Sequence, residues 1–533
     1  MLKSTELPNH ERLITKLFYT LLILHVIPLF FGKYFITQDG PSHLYNALIL
    51  KDILSNPQSI YHQYFNINTT PNPNWLVTAF YLPFLAFLPP FIAEKLFLLS
   101  YVILLPLSFR YLIRQINPQS SFISLLIFPL IYNITFYLGF FNFCFSIIVF
   151  CCSIGYWAHY NGVFNIKQQF IFILLITITF FSHPISIFME AMLMGVILIS
   201  WFYSDLKSKK GPNKLLMIRV LVLIVGFLPS IIFFFMFLQK SGSAIVFTER
   251  NLKGYLINLF QNFDISYLGE TDLILNTIVV LLLTILFIYN VIIRINDKKW
   301  YQKDVLYIVL VLFAFITFFS PEEFAGGSVI LVRLVLYGNI LGILCLAIAN
   351  YPEKVKLFFS VVFFGFAMIY LGFRSKEFLK TNNQFSEFLS IGKYIPDGKT
   401  VLPFVVLKSN SDGSPLDTIR DIDINVFLHA SNYIALERNL VSFENYEAAQ
   451  TYFPIQWKRG INPGSYFPEY GENLMDSSIS TLAKNTGYWP DYILLWKLPK
   501  YASNDNLILA EIKKHYALVQ ATEHKYARLF KRL

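Results

Sequence analysis

The sequence predicts an α-helical polytopic membrane protein, with about 11–13 transmembrane helices, followed by a C-terminal extracytoplasmic α/β domain. Three observations lead there. Hydrophobic residues make up 55% of the 533 and charged residues only 14%, with a mean hydropathy of +0.52; an average soluble domain carries about 25% charged residues. The apolar residues fall in blocks of roughly 20, the length that crosses a bilayer as a helix. After residue 373 the blocks stop and short alternating apolar runs replace them. A soluble enzyme, a disordered chain and a disulfide scaffold are excluded at this level.

The elements follow in order. Residues 1–16 are polar, with Lys3, Arg12 and Lys16. The apolar run 17–36 is too long for a signal-peptide core and reads as an uncleaved first helix with a cytoplasmic N-terminus. Residues 37–75 form a first outer loop, QDGPSHLYNALILKDIL followed by NINTTPNPNW. Within it Leu44, Ala47, Leu48 and Leu50 alternate with His43, Tyr45, Asn46 and Lys51, the pattern of a short amphipathic helix on a membrane surface. Further apolar blocks lie at 76–88, 91–109, 121–138, 141–158, 168–182, 185–203, 215–238, 273–293, 304–319, 328–349 and 356–373. The block 76–88 is short and holds Pro83, so it reads as re-entrant or interfacial, leaving eleven crossings; thirteen, with one block unrecognised, is the alternative.

Charge sets the orientation. Lys207, Lys209, Lys210, Lys214 and Arg219 mark one basic loop, and Arg294, Lys298, Lys299 and Lys303 another. Cytoplasmic loops carry the Lys/Arg excess, so both belong inside and the C-terminal domain outside. The net charge is +10, but residues 374–533 hold about 19 Lys/Arg against about 17 Asp/Glu and are near neutral. Nucleic-acid binding is therefore not indicated. The four cysteines, Cys144, Cys151, Cys152 and Cys345, all sit in apolar blocks without zinc-ligand spacing. The domains are thus 1–373, membrane-embedded, and 374–533, extracytoplasmic. In the latter 385–394 reads as a helix, 400–407 and 492–498 as buried strands, and 515–532 as a hairpin.

Ionisable residues at membrane level are costly, so they locate chemistry. Asp39, directly after the first helix, has two readings. It caps the helix opened by Gly40-Pro41, or it is a catalytic base with His43 one turn on as an orienting partner. His183-Pro184 lies at an outer turn and is either an incidental histidine in a broken hairpin or a donor to phosphate. Glu190, two turns later, shares that face or partners a buried hydroxyl. Ser320-Pro321-Glu322-Glu323 leads into the helix carrying Arg333, which either snorkels to headgroups or clamps an anion, since a guanidinium matches phosphate geometry. Asn142, at another outer turn, reads as a hydrogen bond within the bundle. Tyr466, Phe467, Tyr488 and Trp489 read as ordinary packing aromatics or as sugar-stacking faces.

No GxxxxGK[ST], GxGxxG, HExxH or GxSxG motif is present. The layout resembles the GT-C superfamily of polytopic glycosyltransferases, such as protein O-mannosyltransferases and lipid A aminoarabinose transferases. It shares an inside N-terminus, a first helix, an acidic first outer loop, many further helices and an outer C-terminal domain. Within QDGPSHLYN, Asp39 matches the family's first-loop acid. The resemblance implies a cell-envelope enzyme, in a bacterial inner membrane, moving a sugar from a polyprenyl-phosphate donor to a glycan, lipid or protein acceptor at the outer face. Asp39 and His43 would be catalytic; His183 and Arg333 would bind the donor phosphate; Glu190, Glu322, Glu323 and Asn142 would support them. No metal ligand set is read from the residues, though a divalent metal is compatible with the family pattern. The rival readings are a carrier or flippase of a lipid-linked glycan and a non-catalytic envelope assembly factor; membrane lipids are partners in every case.

Overall fold

The computed structural model describes residues 8–207, 214–241, 245–247, 250–253, 270–324, 327–405, 425–467, 477–496, 507–524 and 526–533. The centre of the first basic loop, with Lys209 and Lys210, and the last two residues of each predicted strand, 406–407 and 497–498, lie outside these. Among the described residues, eight helices are long and apolar enough to cross a membrane. Three shorter apolar helices accompany them: Leu76–Leu85, Ile166–Ser182 and Ile330–Leu346. The chain is thus a polytopic helical membrane protein with a strand-containing C-terminal region. Leu76–Leu85 spans only about 15 Å at 1.5 Å per residue, with Pro83 inside it, and is too short to cross.

Local chemistry explains several boundaries. Pro89 and Pro90 open the helix Pro90–Ile116, where a missing N–H costs nothing. Asn165 and Gln168 form a reciprocal capping box at the start of Ile166–Ser182. The apolar block after Asn117 winds as a 3-10 helix, Pro118–Leu130, buried from Ser120 onward and followed by the short helix Ile134–Tyr137. Its first turn is anchored by Asn117, whose Nδ2 donates to the Ala349 carbonyl at 3.1 Å.

The helix Glu353–Ser390 runs unbroken for 38 residues, through the expected boundary at 373. A change from apolar to polar composition does not interrupt backbone hydrogen bonding, so one rod of about 57 Å joins the apolar bundle to the C-terminal region. There a five-stranded sheet has the order Val441–Ser442, Thr400–Val405, Tyr492–Trp496, Ala527–Arg532, Tyr516–Ala521. The first three are parallel and the last two form the antiparallel hairpin expected from the terminal sequence.

The expected amphipathic surface helix takes a different place. Helix Gly40–Ser55 is buried along most of its length, from Gly40 to Ala47 and at Ile49 and Leu50. It packs between Ser431–Glu437 and Leu76–Leu85. Its polar residues from Ser42 to Asn46 face protein rather than water. Tyr45 Oη donates to the Leu440 carbonyl at 2.7 Å, and Asn432 Nδ2 donates to Ser42 Oγ at 2.9 Å. Asn46 and Asn445 exchange amide hydrogen bonds at 2.9 and 3.1 Å. Further along the loop, strand Phe65–Ile67 pairs antiparallel with Ile455–Trp457. The first loop and the C-terminal region are therefore one packed body.

Candidate functional site

The site begins with a backbone clamp. Gln38 N–H donates to the Tyr137 carbonyl at 2.9 Å and Asp39 N–H to that of Leu138 at 3.1 Å. The approach is possible because the next residue is Gly139, at φ +80°; a Cβ there would lie 2.5 Å from Gly40 N and 2.7 Å from Asp39 N. Asp39 stands at the N-cap position of helix Gly40–Ser55, yet its side chain makes no capping hydrogen bond. The carboxylate turns away instead. Gln38 Nε2 donates to Oδ1 at 3.3 Å, and His429 Nε2 lies 3.6 Å from the same oxygen.

Asp39 lines a cavity of about 200 Å³, which is also lined by His43, Asn142, His183 and Arg333. Five expected residues from four separate segments of the sequence thus share one cavity. Aromatic side chains supply much of the rest, including Phe140, Phe143, Tyr446, Tyr452 and Phe453, with Phe234 and Phe237 extending the apolar wall.

His43 is fully engaged. Its Nδ1 is 2.5 Å from Glu447 Oε1, and its Nε2 donates to the Gly139 carbonyl at 3.0 Å. Burial alone would lower the imidazole pKa, but the charge and hydrogen bond of Glu447, with Asp39 nearby, outweigh it and raise the value. Asn46 Nδ2 holds the other Glu447 oxygen at 2.8 Å.

His183 accepts the Ile185 N–H at Nδ1, 3.3 Å away. A neutral ring therefore carries its proton on Nε2, as a donor. Arg333 is buried, with Nη1 donating to the Ser328 carbonyl and, at 3.3 Å, to that of Val329. Its guanidinium lies 4.0 Å from the Phe140 ring centre. Among the described residues Nε has no hydrogen-bond partner, and no carboxylate lies within ion-pair distance of Arg333. Val329, just before that helix, is left-handed at φ +57°, a strained state for a β-branched residue.

Other expected residues take structural places. Asn142 Oδ1 accepts the Val77 N–H at 3.0 Å, at the start of helix Leu76–Leu85, while still facing the cavity. Glu190 lies outside it, accepting from Ser153 and, at 3.0 Å, from Thr179 Oγ1. Glu322 pairs with Arg250 at 3.4 Å, and Glu323 sits exposed in a two-residue strand against Ile245–Val246; neither lines the cavity. Tyr488 packs on Tyr64 and Phe467 on Phe404.

The contribution unseen in the sequence comes from the C-terminal region: His429, Glu444, Tyr446, Glu447 and Tyr452. His429 Nδ1 hydrogen-bonds Glu444 Oε1, and Tyr446 stacks on the ring at 4.4 Å and 24°. In a polar region a histidine or glutamate carries no burial cost that would flag it. The usable signal was positional: Phe443-Glu444-Asn445-Tyr446-Glu447 directly follows a parallel strand, and ligand sites gather at the carboxyl ends of such strands. As for a metal, among the described residues no three His, Cys, Asp or Glu side chains are arranged to hold an ion. The set does not fit a cation cage.

No protein-family model matches the chain, and no characterised protein is detectably similar to it in sequence.

Proposed function

We propose that this protein is a GT-C-like membrane glycosyltransferase that moves a sugar from a polyprenyl-phosphate donor to an acceptor hydroxyl. One observation carries the reading. A single cavity presents a carboxylate that its own helix does not use as a cap, together with a buried guanidinium that forms no ion pair with any described carboxylate. The first suits a base, the second an anionic leaving group. The aromatic wall suits the apolar chain and the sugar face of such a donor.

In this mechanism Asp39 takes the proton of the acceptor hydroxyl. The oxygen attacks the anomeric carbon, and the bond from that carbon to the phosphate oxygen breaks with its electron pair. The charge developing on the phosphate is met by Arg333 and by the Nε2–H of His183. His43, with both nitrogens engaged, holds Gly139 and Glu447 in place. The site would lie at the outer face of a bacterial inner membrane, with the N-terminus cytoplasmic and residues 374–533 outside, in keeping with the Lys/Arg placement.

The test uses purified protein in liposomes with a panel of polyprenyl-phosphate hexoses and pentoses, following release of polyprenyl phosphate. General-base catalysis contributes about 10²–10⁴-fold, so Asp39→Asn should lose at least the lower figure while folding normally. Equal rates would leave Asp39 without a catalytic role. Passage of intact donor between leaflets without cleavage would favour a carrier, and neither activity an assembly factor.

A further inference from the structure

Strands Thr400–Val405 and Val441–Ser442 run parallel but differ in length. Pairing covers Thr400 and Val401, and Phe443 N–H makes the next bond, to the Val401 carbonyl at 2.9 Å. Beyond that bond the two chains part. Residues 402–405 keep their partner strand Tyr492–Trp496 on the other side, while the second chain turns into the 3-10 helix Glu447–Ala449. The wedge left between them is a second cavity, of about 270 Å³, lined by 402–405, 443–446, 462–465 and Phe467 among others. It opens at the carboxyl end of parallel strands, where such folds gather their ligands.

Three features of the wedge select its occupant. The first is Pro403. Val401 turns its carbonyl to the short strand, and backbone groups of successive residues alternate between the two neighbours, so Pro403 turns its own toward the wedge. Proline has no N–H to give. A peptide adding itself there as an extra strand would lack that donor. The second is charge. Among the described residues no Lys, Arg or His lines the wedge, so an anion would shed its water without a partner. The first cavity, with Arg333, has the opposite character.

The third is a set of carboxamides beside aromatic rings. Asn462 Oδ1 accepts the Gly464 N–H at 3.1 Å, which leaves its NH₂ group to donate. Gln450 uses its backbone N–H on Glu447 and its carbonyl on Gln456, and among the described residues its side-chain amide makes no hydrogen bond. A carboxamide both donates and accepts, as do the neighbouring hydroxyls of a sugar. Phe467 packs edge-to-face on Phe404, at 5.5 Å and 68°, and supplies an apolar surface for the C–H face of a sugar ring.

The wedge also adjoins the first cavity, since Tyr446 lines both. Glu444 in its wall is bonded to His429 Nδ1, and His429 Nε2 lies 3.6 Å from Asp39 Oδ1. The width of one imidazole thus separates the wall from Asp39. Asn445, in the same wall, is tied to Asn46 of the Asp39 helix. Resting on the glycosyl-transfer reading above, we propose that the wedge is the acceptor site and that the acceptor is an uncharged glycan. Its inner sugars lie against Gln450, Asn462 and Phe467, and its terminal sugar passes Tyr446 to bring a hydroxyl to Asp39. The anionic donor and the neutral acceptor are thereby sorted into two cavities of different charge.

Two measurements on the full-length protein in lipid nanodiscs test this. The first needs no donor: fluorescence anisotropy with a panel of labelled uncharged oligosaccharides, and a serine- and threonine-rich peptide in parallel. Gln450→Ala should weaken glycan binding about three- to tenfold, the worth of one hydrogen bond. Ala449→Trp, at an exposed position in the lining, should block it while thermal unfolding stays at wild type. Binding of polyprenyl phosphate should be unchanged in both. No oligosaccharide bound, binding indifferent to both variants, or the peptide bound in place of the glycan would overturn the proposal. The second is transfer to the glycan that binds. Gln450→Ala should raise the acceptor KM by the same factor and leave kcat and the donor KM near wild type. Transfer with an unaltered acceptor KM in both variants would end this proposal and leave the glycosyltransferase reading intact. Glycan binding that Ala449→Trp removes, with no transfer by wild type from any donor, would end that reading and keep the wedge as a glycan site.

Discussion

Gly139→Ala tests whether the backbone clamp positions Asp39. The new Cβ would stand 2.5 Å from Gly40 N and 2.7 Å from Asp39 N, with Asp39 C at 3.0 Å. These are backbone atoms at the start of a buried helix and cannot give way as a flexible side chain would. Two costs add. An L-residue at φ +80° costs about 1–2 kcal/mol, and overpacking a closed contact costs about 1–3 kcal/mol. The expected destabilisation is about 2–5 kcal/mol. The two hydrogen bonds from Gln38 and Asp39 to the Tyr137 and Leu138 carbonyls should also loosen, along with the Gly139 carbonyl that binds His43. The assay is denaturant or thermal unfolding of purified protein in detergent, with Gly195→Ala as control. Gly195 lies in helix Pro184–Lys207 with nothing within 4 Å of an added Cβ, so alanine there should be neutral or mildly stabilising. Gly139→Ala within about 0.5 kcal/mol of wild type, the range of an ordinary surface change, would show that the clamp does not hold Asp39.

Asn66→Cys with Gln456→Cys should form a disulfide on mild oxidation, because these residues face each other in an antiparallel pair, at the separation a disulfide spans; mobility on a non-reducing gel reads it, and no bond would deny that the first loop and the C-terminal region share one side. The raised His43 pKa makes stability depend on pH. Its contribution is complete below the unfolded value of about 6.5 and is lost as pH rises through the folded value, so the unfolding midpoint should fall from neutral to alkaline pH and His43→Gln should flatten that slope. Arg333→Gln should weaken binding of a polyprenyl phosphate, measured by fluorescence quenching, about thirtyfold or more, as losing a buried charge partner costs at least about 2 kcal/mol; unchanged affinity would remove Arg333 from the phosphate site. Val329→Gly should raise stability by about 1 kcal/mol by relieving the left-handed strain at φ +57°, and a loss of stability would mean that the side chain's packing outweighs it.

Much of the fold is legible because lipid imposes a simple rule. A run of apolar residues long enough to cross must satisfy its backbone internally, and most helices between Pro90–Ile116 and Ile330–Leu346 follow the apolar blocks closely. The first helix, Asn9–Val26, starts in the polar N-terminal stretch and stops short of residue 36, and Glu353–Ser390 continues past residue 373. The same rule exposed part of the site. Asp39, His183 and Arg333 are conspicuous where charge is expensive, and they line one cavity. Strands Thr400–Val405 and Tyr492–Trp496 and the final hairpin were readable from short apolar runs bounded by turns. Helix Gly40–Ser55 was misread because its alternation was assigned to one membrane surface, whereas two protein surfaces cover it.

The residues thus specify the membrane class, most helices, and those ionisable groups that would not lie among apolar neighbours without a partner or a use. The tertiary structure alone decides what Asp39 does with its side chain. The sequence Asp-Gly-Pro is compatible with a helix cap, and only the clamp to Tyr137 and Leu138 turns the carboxylate toward His429. It alone also brings His429 and Glu444 to a residue nearly 400 positions earlier. Such pairing depends on how the loop helix packs against the C-terminal sheet region. Hydrophobic periodicity reports which face of an element is covered, not by what, so no local pattern records that partnership.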